Sequence, residues 1–177
     1  FDKMDVMKSE FESRITDKMG FVLAGSAGGG VQSAAKLLAQ AGIMSGLYAT
    51  MKGEYPVTVG TGFSIAEVIL SRKPINYTGL EDPDVMIIVS VEGLQKVKER
   101  ITRNTQLIVD ENLEIKFEHT INGPFNKIAG KKVAALNALA SWIDKTDFLD
   151  KQALIKAVNS HKHADKLMNA IQSSVLT

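Results

Sequence analysis

The 177-residue sequence contains no cysteine. The 177 residues therefore cannot ligate an iron–sulfur cluster through thiolates, build a thiolate zinc site, form a disulfide bond or supply a thiol nucleophile. No apolar run approaches the roughly 20 residues that a membrane-spanning helix needs, so we predict no membrane span. An excess of one charge is also missing, because 21 basic residues oppose 20 acidic ones. Nothing in this balance points to a nucleic-acid partner.

The chain has the size and composition of one folded domain. Hydrophobic residues make up 45% of the sequence, which at this length suits a single domain with a sizeable core. The first residues, FDKMDVMKSE, are too highly charged for a signal peptide, and we expect a cytoplasmic protein. We predict a leader or short amphipathic helix over residues 1–18 and a single α/β domain over residues 19–177.

Residues 21–31, FVLAGSAGGGV, combine an apolar run, a glycine-rich turn and the start of a helical pattern. A strand that turns directly into a helix leaves backbone N–H groups unpaired, and these groups favour an anion such as phosphate. Glycine allows positive φ and close approach of the anion. We predict that this turn holds the phosphates of a nucleotide-type ligand. The candidate residues are Gly25, Ser26, Ala27, Gly28, Gly29, Gly30 and Val31.

This turn departs from two established phosphate-binding motifs. Ala27 stands at the third position of G-x-G-x-x-G, and Val31 follows Gly30 where a P-loop has lysine. Lys52 stands near the end of the second predicted strand, where a dinucleotide fold places an acidic residue for the ribose. A lysine there suits a phosphate better than ribose hydroxyls, which leaves a ligand such as CoA open. A turn that needs glycine for packing alone is the alternative.

Strands and helices alternate along most of the sequence. We predict strands at residues 19–24, 47–51, 63–70, 85–89 and 106–109, helices at 31–45 and 92–100, an exposed or edge strand at 114–121, an alanine-rich helix at 133–143 and one or two helices over 149–171. This order favours an α/β fold with a Rossmann-like, mostly parallel sheet and helices on both faces. Ligands of such sheets bind beyond the carboxyl ends of the strands.

A second loop, KGEYPVTVGTG, leaves the second predicted strand at this same sheet edge. Its glycines, proline and threonines indicate a loop that lies close to a ligand or a partner. The weaker binding candidates are Lys52, Tyr55, Gly60, Thr61 and Gly62.

No spacing in the sequence supports a catalytic or metal-binding group. His161 and His163 lie two residues apart on a predicted helix, so they face different sides and we expect them at the surface. His119 falls in the alternating strand as a packed or edge residue. Asp84 and Asp110 lie near the ends of buried strands, where a carboxylate can bind a ribose or metal but commonly caps a turn. We expect a binding surface, with no catalytic and no metal-ligating residue.

Several stretches occur in the order and spacing of a known family. The turn and first helix read GSAGGGVQSAAKLLAQAG, against the family's G-x-G-G-Q-G-V followed by an alanine- and leucine-rich helix. Four further stretches follow in the family's order: EYPVTVGTGFSIAEVILSRKPI, EDPDVMIIVS, LIVDENL and NKIAGKKVAALNALASWI. In the first of these, Tyr55, Gly62, Ser71, Pro74 and Ile75 match family positions. Residues 19–160 thus resemble the gamma subunit of the 2-oxoacid:ferredoxin oxidoreductases, which act on pyruvate, 2-oxoglutarate, 2-oxoisovalerate or arylglyoxylates.

The chain departs from the family pattern in both glycine-rich loops. Gly29 replaces the family's glutamine in the first turn. In the second loop, Gly60 replaces the arginine of R-G-G and Thr61 replaces a glycine. The planar arginine guanidinium, which can donate two hydrogen bonds side by side, is therefore absent. These changes indicate a divergent member.

The resemblance implies a subunit of a larger enzyme. Such complexes convert a 2-oxoacid and CoA to acyl-CoA, CO2 and two electrons. It implies thiamine diphosphate, Mg and iron–sulfur clusters in alpha, beta and ferredoxin-like delta subunits, with ferredoxin or another acceptor reached through the complex. The gamma domain, similar to a Rossmann fold, would bind CoA phosphates at its glycine turn. Two alternatives stay open: a stand-alone Rossmann-type nucleotide-dependent reductase or dehydrogenase, and a structural subunit that has lost its ligand contacts.

Overall fold

The computed structural model describes residues 10–54, 62–76, 79–80 and 82–172. Its strands are β1 (Lys18–Ser26), β2 (Tyr48–Glu54), β3 (Phe63–Ser71), β4 (Val85–Ile88), β5 (Gln106–Asp110) and β6 (Thr120–Gly123). They form a six-stranded sheet in the order β2-β3-β1-β4-β5-β6. Apolar residues alternate or run continuously through the central strands, as expected where a sheet is covered on both faces.

The sheet is mostly parallel, as predicted. β1, β4, β5 and β6 run parallel to one another, whereas β3 runs antiparallel to both β1 and β2. An antiparallel pair of strands needs no crossover helix between them. Because β3 reverses direction, β2 again points the same way as β1. The two glycine-rich loops therefore start at the same sheet edge.

Helices cover both faces of the sheet. They are α1 (Val31–Met44), α2 (Val91–Val97), α3 (Phe125–Ala129), α4 (Ala134–Thr146), α5 (Lys151–Asn159) and α6 (Ala164–Gln172). Short 3-10 turns follow at Lys98–Arg100 and Glu111–Leu113. The predicted helices near residues 31–45, 92–100 and 133–143 are present, and the closing segment forms two helices.

Two hydrophobic clusters hold these layers together. Phe21 and Leu23 pack with α1 and α4 on one face of the sheet, while Val22 and Ala24 pack with residues of α2 on the other. All four side chains are fully buried. Trp142 of α4 meets the Phe21 ring edge-on at a centroid distance of 5.3 Å. The alternation of β1 between two cores fixes its register, since a slip of one residue would exchange the faces.

The described part of the predicted leader, residues 10–17, is extended and not helical. Ser13 forms a β-bridge with Leu149. The Arg72 guanidinium donates to the carbonyls of Ser13 and Ile15, the latter at 2.7 Å. This segment therefore ties the end of β3 to the α4–α5 connection. The division into a leader and one domain stays a prediction.

Two local predictions are wrong. The edge strand predicted at residues 114–121 is largely a loop, because Glu114 and His119 adopt left-handed conformations with φ of 52° and 58°. Such angles break the strand geometry that the alternating sequence suggests. His161 and His163 lie in the turn between α5 and α6 and not on a helix. His163 is exposed and His161 half-buried, so the surface position of the pair is close to that predicted.

Candidate functional site

The glycine turn joins the carboxyl end of β1 to α1. Gly28 and Gly30 have φ of 77° and 76°, in the left-handed region where glycine is favoured. The helix starts without a side-chain cap. Among the described residues, no acceptor is found for the N–H groups of Val31, Gln32 and Ser33. These free amides and the helix dipole make this point attractive to an anion.

Packing within the chain explains three of the four glycines. A Cβ at Gly25 would lie 2.8 Å from a methyl group of Val31, and one at Gly30 would lie 2.0 Å from the carbonyl oxygen of Lys132. A Cβ at Gly29 would lie 2.9 Å from the carbonyl oxygen of Ser26, and all three distances are too short for a real side chain. The loop before α4 covers one side of the turn at Gly30. For these three positions, the packing alternative is sufficient.

Gly28 differs from its neighbours because space surrounds it. Apart from Gly28 and its two chain neighbours, no heavy atom of the described residues lies within 4 Å of a Cβ built here, although the φ favours glycine. Gly28 is also exposed, whereas Gly25, Gly29 and Val31 are buried. The open side of the turn is thus at Gly28, beside the free helix amides. Ser26, Ala27 and Gly30 are half-buried around this opening.

The second glycine-rich loop meets the first, as the shared sheet edge predicted. The Ala27 N–H donates to the Gly62 carbonyl at 3.0 Å. Gln32 of α1 donates from Nε2 to the Ile65 carbonyl at 2.8 Å. Lys52 is exposed on β2. Of the remaining candidates in this loop, Tyr55, Gly60 and Thr61 lie outside the described residues.

Charged residues from distant parts of the sequence surround the turn. The Ser26 hydroxyl donates to the Glu92 carboxylate at 3.1 Å. The backbone of Lys131 and Lys132 approaches Gly29 and Gly30. Sequence reasoning missed all three charged residues, because they come 60 or more positions later in the chain. The basic pair in the stretch AGKKV was the only local signal for them.

The Glu92 carboxylate is ionised more readily than an ordinary glutamate. A hydrogen bond with its own backbone N–H lowers its pKa most. Burial opposes this shift, and the Ser26 and Ser90 hydroxyls and the charge of Lys131 each lower the pKa by less than burial raises it. A negative charge therefore stands beside the turn at neutral pH. It opposes the binding of an anion, while Lys131 favours it.

The other sequence candidates act as caps or lie away from the turn. Asp84 accepts from the Gly20 N–H at 2.8 Å, at the opposite sheet edge. Asp110 is buried, and its two oxygens accept from the N–H groups of Asn112 and Asn126 at 3.1 and 2.9 Å. His119 is exposed in its loop. The capping interpretation is therefore correct for Asp110, whereas Asp84 binds a backbone N–H of the neighbouring strand β1.

The described residues show neither a metal-binding cluster nor a membrane-spanning helix. No group of three or more His, Asp or Glu side chains in these ranges is placed to hold a metal ion. None of the helices in the described ranges has the length and apolar character to cross a bilayer. A cavity of about 690 Å³, lined by Asp17, Lys18, Leu80, Asp82 and others, opens at the sheet edge opposite the glycine turn.

Curated relatives share part of the sequence. The chain is 32% identical over 97 residues to the 2-oxoglutarate synthase subunit KorC of Methanothermobacter thermautotrophicus, covering 54% of this chain and 51% of that protein. The match thus spans about half of the relative's length. The KorC subunit of Methanocaldococcus jannaschii is 26% identical over 148 residues, covering 77% of this chain and 79% of that protein.

Solved structures share the fold. The gamma subunit of a keto/oxoacid ferredoxin oxidoreductase from Geobacter sulfurreducens superposes with a TM-score of 0.71 and 23% identity, over 89% of this chain and 94% of that one. The 2-oxoglutarate:ferredoxin oxidoreductase of Magnetococcus marinus, solved with 2-oxoglutarate, coenzyme A and succinyl-CoA, superposes with a TM-score of 0.77 and 16% identity. That match covers 89% of this chain and 30% of that one.

A family model completes the comparison. The model of the pyruvate ferredoxin/flavodoxin oxidoreductase family matches residues 20–174, which include the glycine turn and every helix described above. The resemblance predicted from the motifs is therefore confirmed, as is the α/β fold with its mostly parallel sheet. The chain belongs to the pyruvate ferredoxin/flavodoxin oxidoreductase family and is similar to the gamma subunits of its 2-oxoacid enzymes.

Proposed function

We propose that the chain is the gamma subunit of a CoA-dependent 2-oxoacid:ferredoxin oxidoreductase and that it contributes CoA binding and assembly. The family match over residues 20–174 carries this proposal. The complex converts a 2-oxoacid and CoA to acyl-CoA and CO2 and passes two electrons to ferredoxin or another acceptor. We place the complex in the cytoplasm.

The turn fits a CoA phosphate on its open side. The N–H groups of Val31, Gln32 and Ser33 have no acceptor among the described residues, and Gly28 leaves room beside them. Backbone amides at a helix start bind phosphate through hydrogen bonds and the helix dipole. Lys131 supplies a positive charge nearby. We assign Gly28 and these three amides the phosphate contacts, with the second loop as a further wall.

The chemical steps belong to the partner subunits under this proposal. When bound there, thiamine diphosphate with Mg cleaves the 2-oxoacid, and iron–sulfur clusters carry the electrons. The 177 residues of this chain supply no thiolate for such clusters. We assign these cofactors to alpha, beta and ferredoxin-like delta subunits.

Copurification from the native organism tests the assembly. The tagged chain should bring down thiamine-binding and cluster-binding subunits, and the assembly should reduce an electron-accepting dye only with a 2-oxoacid and CoA together. Assays with pyruvate, 2-oxoglutarate and branched or aryl 2-oxoacids then identify the substrate. A chain that is monomeric and brings down no such subunits would contradict the proposal.

The Gly28→Ala variant tests the CoA contact. Its methyl group would point into the open side of the turn, and we expect the apparent KM for CoA to rise about tenfold, the equivalent of about 1.4 kcal/mol. The Gly46→Ala variant is the matched control, because Gly46 has a similar φ of 81° but follows the other end of α1. It should leave the KM for CoA unchanged.

A structural subunit without ligand contacts is the second candidate. The observation that favours it is the packing of Gly25 and Gly30, which explains both glycines without a ligand. Under this alternative, the complex assembles and is active, and Gly28→Ala and Gly46→Ala give the same KM for CoA.

A further inference from the structure

Glu92 contacts the glycine turn from a different part of the chain. The residue lies in the first turn of α2, directly after β4. The Ser26 hydroxyl donates to its Oε2 at 3.1 Å, across 66 positions of sequence. A serine hydroxyl has a single proton to donate. While it serves Glu92, Ser26 can offer a phosphate only lone pairs.

Lys131 is the second group that Glu92 engages. Its charge stabilises the ionised carboxylate of Glu92, and its backbone lies beside Gly29. Lys131 and Lys132 are both exposed. The Glu92 carboxylate holds the Ser26 hydroxyl, which an anion at the turn would also use. The charge of Lys131 attracts either group.

We propose that Glu92 is an internal competitor for the anion site, which holds the Ser26 hydroxyl until a CoA phosphate replaces its carboxylate. This inference rests on the proposed function, since it concerns the regulation of the same turn. The competition weakens CoA binding, and it equally weakens the binding of acyl-CoA, which carries the same phosphates. Glu92 therefore favours release of the product.

The exposure of Glu92 limits how strongly its charge can weaken CoA binding. Glu92 lies at the surface, where water and salt screen its charge. Exposed charge pairs contribute up to about 1 kcal/mol, which is a factor of about five in a dissociation constant. Removing the charge should therefore tighten CoA binding roughly two- to fivefold.

The test compares Glu92→Gln with Glu99→Gln in the copurified complex. Both variants remove one negative charge, but Glu99 lies in the 3-10 turn after α2, seven residues further along. Titration calorimetry with CoA gives the dissociation constant of each. We expect Glu92→Gln to bind CoA two- to fivefold more tightly than wild type, with the gain reduced at 0.5 M salt because exposed charges are then screened. Glu99→Gln should stay within about 1.5-fold of wild type.

A double-mutant cycle with Ser26→Ala shows whether the gain acts through the turn. Ser26→Ala alone should weaken CoA binding, and Glu92→Gln should gain less in its background, because the contested hydroxyl is gone. Equal dissociation constants for Glu92→Gln and Glu99→Gln would overturn the inference while leaving CoA binding intact. A wild-type complex that does not bind CoA would instead overturn the proposed function.

Discussion

Gly28 and Gly30 form a natural pair for testing how the turn is built. Both residues have φ near 76°, so an alanine pays the same conformational penalty at either position. Their surroundings differ, since a Cβ at Gly28 meets open space and one at Gly30 lies 2.0 Å from the Lys132 carbonyl oxygen. The difference between the two alanine variants therefore isolates the contact between the turn and the loop before α4.

The expected magnitudes follow from these two terms. A left-handed alanine costs about 1 kcal/mol, and this is the whole expected loss for Gly28→Ala. Gly30→Ala must also displace backbone, and forcing an extra methyl into a packed site costs about 1–3 kcal/mol more. We expect a total near 3 kcal/mol for Gly30→Ala. For a chain of this size, 1 kcal/mol corresponds to roughly 2–4 °C in Tm.

Thermal and urea unfolding of the two variants measure the effect. We expect Tm to fall by about 2–4 °C for Gly28→Ala and by about 6–12 °C for Gly30→Ala. The m-value should not change, because the folded surface is the same. Equal losses in the two variants would show that the Lys132 carbonyl does not press on the turn, and would refute this account of Gly30.

Three further predictions concern groups around the site and the N-terminal segment. Arg72→Met removes the donors to the Ser13 and Ile15 carbonyls; it should cost about 1–2 kcal/mol and speed hydrogen exchange of residues 10–17. Asp110→Asn replaces an oxygen that accepts from a backbone N–H by an NH2 group. Urea titration should show that the free energy of unfolding falls by about 1–3 kcal/mol. The control Asp144→Asn, in a partly exposed pair with Lys151, should lower it by at most about 1 kcal/mol. The lowered pKa of Glu92 means that its ionised form stabilises the fold above the ordinary carboxyl range, and that this stabilisation disappears as pH falls through the lowered value. Ser26→Ala should raise this pKa, as carboxyl NMR during an acid titration would show, and an unchanged value would contradict the contact.

Local sequence was enough to predict most elements of the fold. Strand β1 and helix α1 were recognisable because an apolar run, a glycine turn and a helical pattern follow one another directly. The direction of β3 was not, since an apolar strand buried on both faces has the same composition in either orientation. The loop at residues 114–119 was also missed, because the left-handed angles at Glu114 and His119 interrupt an alternating pattern that is typical of strands.

The candidate site likewise has parts that the sequence predicts and parts that only the structure reveals. Its amides and glycines are consecutive in sequence, so the pattern alone singles out residues 25–31 as the candidate turn. Glu92 and Lys131 reach the turn through the order of the strands and through the loop before α4, and no short motif encodes such contacts. The purpose of each glycine also required the structure, which separates packing at Gly25 and Gly30 from open space at Gly28.

Hydrogen exchange of the copurified complex, with and without CoA, tests the central claim most directly. The free N–H groups at the start of α1 should exchange quickly in the absence of CoA and become protected when it binds. A peptide covering residues 26–34 reports on them, and a peptide covering residues 82–88, which reaches the opposite sheet edge, is the control. The account predicts slower exchange in the first peptide alone. Saturating CoA that leaves this peptide unchanged would contradict it.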